Sequence, residues 1–114
     1  MTQDDARLES LRRRLQDTEA QLHKQGYRTE RATAHPGYQA SNQTFDEETL
    51  ILVLHGNLRA ECQEQVVPLG AGDHLHVPAG VPYQLRVHGD KTAYWIQAHR
   101  KEMDPDRNGA SGKN

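Results

Sequence analysis

Between residues 27 and 100 the sequence is cut into short runs rich in β-branched and aromatic residues by glycine, proline and aspartate. The breaks recur roughly every 8–12 residues, a spacing that belongs to an all-β sandwich or barrel. No stretch in this region has a convincing period of 3.6. Strands are predicted near 27–34, 38–44, 49–55, 57–63, 65–68, 73–77, 83–88 and 92–99. His55-Gly56-Asn57 is expected to turn the third strand back on the fourth as a tight hairpin. Gly70-Ala71-Gly72-Asp73, Pro78-Ala79-Gly80-Val81-Pro82 and His88-Gly89-Asp90-Lys91 supply further turns, and the two prolines keep the middle one out of a central strand. Eight short strands in so small a domain fit a jelly roll made of two four-stranded sheets.

Composition sharpens this reading through its distribution. Of 114 residues 34% are hydrophobic, which is thin for a packed core. Residues 27–100, however, hold 30 of the 39 apolar residues and all six aromatics. The chain therefore divides into an N-terminal segment 1–26, a β-domain 27–103 and a polar tail 104–114. Residues 4–25 lack Pro and Gly, Asp4 or Asp5 can cap a helix there, and Gly26 can end it. Leu8, Leu11, Leu15 and Leu22 share one face of that helix and are expected to pack on the domain or on a second subunit. The tail, DPDRNGASGKN, has almost no apolar content and is expected to be disordered. A domain this small is marginal alone and would gain from a partner subunit, so a homodimer is expected.

Several function classes drop out. No window is apolar over about 18 residues, so no membrane span is expected. The first residues, MTQDDARLESLRRR, do not resemble a secretory signal. The single cysteine, Cys62, makes neither an internal disulfide nor a cysteine-based zinc site, which fits a cytoplasmic protein. Cys62 reads as a small buried residue. Net charge is −2, and Arg12-Arg13-Arg14, the one basic run, is flanked by acids, so nucleic acid is not an expected partner.

One segment carries a resemblance. Gly72-Asp73-His74-Leu75-His76-Val77-Pro78-Ala79-Gly80-Val81-Pro82-Tyr83 is similar to the second conserved motif of the cupin family: a glycine, five residues, a Pro-x-Gly turn, then a histidine. Glu48 to Gly56, ETLILVLHG, resembles the end of the first cupin motif. The resemblance covers roughly residues 35–100 and implies a cupin-like jelly-roll β-barrel that carries an N-terminal α-helix. Alternation along 83–88 sends Tyr83, Leu85 and Val87 inward, which puts Tyr83 at the mouth where cupins bind metal and substrate.

Metal-binding cupins place two His, a Glu and a last His at positions that the resemblance carries onto Asn42, Thr44, Thr49 and Tyr83. None of these is a good ligand for the metals that favour imidazole and carboxylate. The resemblance thus implies a cupin without the usual metal, and a pocket lined by Asn42, Thr44, Thr49 and Tyr83. A one-residue slip would bring Glu48 to the Glu position, with both His still absent.

His74 and His76 lie two apart on one strand and project from one face, near enough to chelate a divalent transition metal. A third ligand could come from His35, His55 or His99. Leu75 and Val77 take the opposite, core-facing side, so a surface or interface His pair is the competing reading. Asp46-Glu47-Glu48 supplies either a general base at the mouth or simply an acidic loop. Tyr94 and Trp95 split between the two faces of the last strand.

The leading expectation is a cupin that binds a small polar molecule in its barrel without a cofactor, or serves as a structural or regulatory module. The alternatives are a metal-dependent dioxygenase, isomerase or lyase using a displaced site at His74 and His76, and a metal-free epimerase-type enzyme with a His base and Tyr83 as acid.

Overall fold

The computed structural model describes residues 3–100, with side chains from residue 6 onward. The expected tail at 104–114 lies outside the described residues. One helix, α1 (Gln3–Lys24), is followed by eight strands: β1 (Tyr27–Ala34), β2 (Gln39–Gln43), β3 (Thr49–His55), β4 (Leu58–Cys62), β5 (Gln65–Leu69), β6 (His74–Val77), β7 (Tyr83–Val87) and β8 (Ala93–Arg100). They form two antiparallel four-stranded sheets, β1-β8-β3-β6 and β2-β7-β4-β5. This is the expected jelly roll.

The two sheets close over one apolar core. Ile51, Val53, Leu58, Ala60, Leu69, Val77, Leu85, Val87 and Trp95 pack inside it, and Cys62 joins them as a small buried residue. Inward and outward residues alternate along each strand, as the pleat requires. Trp95 enters this core, whereas Tyr94 faces the other side of β8.

The sheet β1-β8-β3-β6 is apolar on both faces. Its outer face presents Leu54, Ile96 and Ala98 to Leu11, Leu15 and Leu22 of α1. Each fully buried leucine contributes about 1.5–3 kcal/mol, so the helix is an integral cover of the barrel. Arg31 of β1 clamps it with two 2.9 Å hydrogen bonds to Glu19. The helix ends where Gly26 takes a φ of 92° and its N–H reaches His23 O at 3.0 Å; His23 and Lys24 suit the negative end of the helix dipole. Leu8, the first leucine of the stripe, stays 52% exposed.

The expected hairpin at 55–57 is corrected by the strand pairing. β3 pairs with β6 and β8, and β4 with β5 and β7, so His55-Gly56-Asn57 carries the chain from one sheet to the other. Gly56 is needed for close approach: a Cβ there would lie 2.7 Å from Thr92 O. Among the described residues, β4 and β5 are the one pair of consecutive strands that forms a hairpin. Its turn is Gln63-Glu64, with φ of 54° and 67°. Positive φ at both positions is the type I′ geometry that suits strand twist.

Candidate functional site

β3 and β8 lie side by side, and their register sets Thr49 opposite His99. Both point into the barrel and both are buried, the only polar residues in that state among the described residues. Thr49 Oγ1 lies 2.8 Å from His99 Nδ1 and 2.8 Å from Glu47 O. On the far side of the ring, His99 Nε2 lies 3.1 Å from Glu30 Oε1 on β1. A carboxylate only accepts, so Nε2–H is the donor in that bond. The single hydroxyl proton of Thr49 can then go either to His99 Nδ1 or to Glu47 O. The three side chains form a hydroxyl–imidazole–carboxylate chain running from the barrel interior to solvent.

Phe45 lies across this chain. Its ring stacks on Tyr83 with centroids 4.6 Å apart and meets His99 edge-on at 5.6 Å. The loop that carries Phe45 is pinned by a 2.9 Å hydrogen bond from Gly80 N–H to Phe45 O, which ties it to the proline-rich turn before β7. Burial pushes the Tyr83 phenol above its usual range, and Tyr38 adds to the shift. Tyr83 is therefore a neutral hydroxyl at neutral pH.

The acidic loop next to Phe45 is held by ion pairs. Glu47 takes Arg28 of β1 at 2.7 Å. The hydrogen bond from that guanidinium holds the Glu47 carboxyl below the usual range and raises Arg28 in turn. Glu48 meets His76 of β6 at 2.9 Å and Arg100 of β8 at 3.6 Å. Two of the three loop acids thus tie the mouth to β1, β6 and β8.

The four pocket residues read from the sequence divide. Thr49 and Tyr83 are inward and linked through His99 and Phe45. Asn42 is exposed, with a φ of 53° at a register shift in β2, a conformation asparagine tolerates. It shares with Tyr83 a cleft of about 340 Å³ at the rim, edged by Glu61, Glu64 and Gln84. Thr44 is exposed just beyond β2. His74 and His76 are exposed on the outer face of β6, opposite Leu52 and Leu50, and so point away from the barrel. Phe45 and Glu30 were not singled out by sequence reasoning. His99 was one of three possible third histidines, and its parity with Trp95 on β8 is the signal that places it inside.

Three further observations bear on what the chain is. A family model described as a cupin domain matches residues 30–99. A search of curated protein sequences gives no match. Among solved structures the chain is similar to a Cupin 2 conserved barrel domain protein from Salinispora arenicola, at 17% identity over 73% of this chain and 70% of that one, with a TM-score of 0.61. It is similar also to a cupin superfamily protein from Desulfitobacterium hafniense, at 21% identity over 67% of this chain and 68% of that one, TM-score 0.58. A third similar structure is an RmlC-like cupin family protein with a double-stranded β-helix fold from Methanocaldococcus jannaschii, at 11% identity over 65% and 69%, TM-score 0.59. At these identities the likeness is one of fold.

Proposed function

The chain belongs to the cupin family, and from that premise we propose that its barrel mouth binds a small polar molecule without a resident metal. The observation that carries this reading is the Thr49–His99 pair, buried and hydrogen-bonded among the side chains of the barrel core. Burying a hydroxyl and an imidazole costs free energy that aliphatic side chains at the same two positions would not. Such departures from an apolar core concentrate at functional sites.

The ligand enters by the cleft that Asn42 and Tyr83 share and takes the place of the Phe45 ring. A flat face of the ligand then stacks on Tyr83, as Phe45 does. Thr49 Oγ1 and His99 Nδ1 supply one donor and one acceptor, and Glu30 orients the imidazole from behind.

The donor set supports the metal-free reading. Thr49 offers a hydroxyl already shared between two partners, Tyr83 a neutral phenol, and His99 a ring with both nitrogens engaged. Among the described residues no three His, Cys, Asp or Glu side chains are grouped to hold a metal ion. These residues do not fit the His and Glu set of metal-binding cupins. Because the Thr49 hydroxyl can turn to Glu47 O, His99 Nδ1 can accept a hydrogen bond from a polar ligand while Nε2 stays on Glu30.

The same reading takes the chain as a cytoplasmic homodimer. No helix among the described residues is long and apolar enough to cross a membrane. Four edge strands, β1, β6, β2 and β5, leave backbone groups open for a second copy. Sedimentation of the full chain reads the oligomeric state.

Native mass spectrometry of freshly isolated protein tests the binding claim. The account expects a small-molecule adduct that is lost in His99→Phe and Thr49→Val. A bare polypeptide in every preparation, with no polar compound raising the melting temperature, would overturn it.

A further inference from the structure

The largest concavity among those described lies away from the mouth, where the first half of α1 leans over the start of β8. It measures about 620 Å³, within the roughly 300–1,000 Å³ of small-molecule sites. Its wall is apolar: Leu8, Leu11 and Tyr94. Its rim is cationic: Arg7, Arg14 and Lys91. Among the described residues, none that lines it is acidic and none of the three cations has a carboxylate partner. The nearby Glu9 is taken by Arg12 at 3.2 Å. Arg14 instead donates to Leu54 O, which fixes its guanidinium at the cleft.

Two features of this cleft are left without a partner. Three cations line one space with no counter-charge beside them among the described residues, and a bound anion would supply it. Leu8 continues the buried leucine stripe but stays 52% exposed, because it overhangs the cleft. One occupant corrects both.

We propose that this cleft binds a small amphipathic carboxylate, its headgroup between Arg7, Arg14 and Lys91 and its apolar body against Leu8, Leu11 and Tyr94. The headgroup gains charge-assisted hydrogen bonds, and the body covers Leu8. The site is separate from the barrel mouth and does not depend on what the mouth binds.

Isothermal titration of the full chain with octanoate, octylamine and octanol tests this. The account expects octanoate to bind at least tenfold more tightly than either of the others. Arg7→Gln combined with Lys91→Gln, both exposed side chains, is expected to weaken octanoate at least tenfold with the melting temperature unchanged. Arg86→Gln, on the opposite sheet, is expected to leave octanoate binding as it is. Equal binding of the three probes, absence of octanoate binding, or an Arg7/Lys91 double variant with wild-type affinity would each overturn the proposal. Because the three-probe comparison uses the unaltered chain, it decides the matter even if a variant folds poorly.

Discussion

Thr49 and His99 face each other across neighbouring strands, and their side chains are hydrogen-bonded at 2.8 Å inside the barrel. Replacing Thr49 alone leaves His99 Nδ1 buried without a partner, whereas Thr49 keeps Glu47 O when His99 is replaced. Thr49→Val is therefore expected to destabilise the fold by about 1–3 kcal/mol. The double variant Thr49→Val with His99→Leu is expected to recover much of that loss, since replacing both partners by apolar groups is close to neutral. Denaturant melts of the two single variants and the double variant check this. Additive losses would mean that the pair is not coupled.

Phe45 closes the mouth by stacking on Tyr83. Phe45→Ala removes a half-buried ring, so the cost is expected to fall below the roughly 3–5 kcal/mol of a fully buried phenylalanine. Its clearer effect is on Tyr83. Burial holds that phenol above its usual range, and opening the mouth lets it fall back toward about 10. A spectrophotometric pH titration should show the most alkaline tyrosine moving down in the variant. An unchanged titration would place the burial of Tyr83 elsewhere.

The helix clamp is acid-sensitive. The hydrogen bond from Arg31 holds Glu19 below the ordinary carboxyl range in the folded chain. The unfolded chain therefore takes up the proton first, near pH 4.3 or so. The stabilisation from the pair is complete above that pH and fades as pH falls through the lower folded-state value. Because Arg31 is about half exposed, the pair is worth no more than about 1 kcal/mol. The melting-temperature gap between the wild type and Glu19→Gln is expected to be widest near neutrality and to close in acid. A gap that widens in acid would contradict the assignment.

Leu15 anchors α1 over Ile96 and Ala98. Leu15→Ala is expected to cost about 2–5 kcal/mol. Deleting residues 1–25 uncovers Leu54 and Ile96 together, and a lower melting temperature with self-association is the expected result. A truncated chain that melts like the full one would show that the helix is not part of the core.

Much of this architecture can be read from the residues, for identifiable reasons. Glycines and prolines mark the end of β3, the end of β5 and both ends of β6 and β7, and period-2 alternation sends Tyr83, Leu85 and Val87 inward and His74 and His76 outward. The Gly56-Asn57 turn reads as a hairpin because a corner between sheets needs the same flexible residues as a reversal within one. The real hairpin, Gln63-Glu64, carries neither Asn nor Gly and gives no local signal. The mouth was harder to read. β8 is apolar on both faces, since one lies on the core and the other under α1, so parity with Trp95 orients His99 only once Trp95 is known to face the core. Phe45 sits in a loop with no period at all. The register shift in β2 breaks the counting that carried the cupin ligand positions onto Asn42 and Thr44.

The central claim is that the mouth formed by Phe45, Thr49, Tyr83 and His99 takes a small polar ligand without a metal. The most direct measurement is a two-dimensional NMR screen of the isotopically labelled full chain against small polar metabolites, with zinc and nickel ions as separate additions. The account predicts that at least one metabolite shifts the resonances of these four residues together and that neither ion does. If no metabolite moves them, or if a metal ion alone does, the account is contradicted.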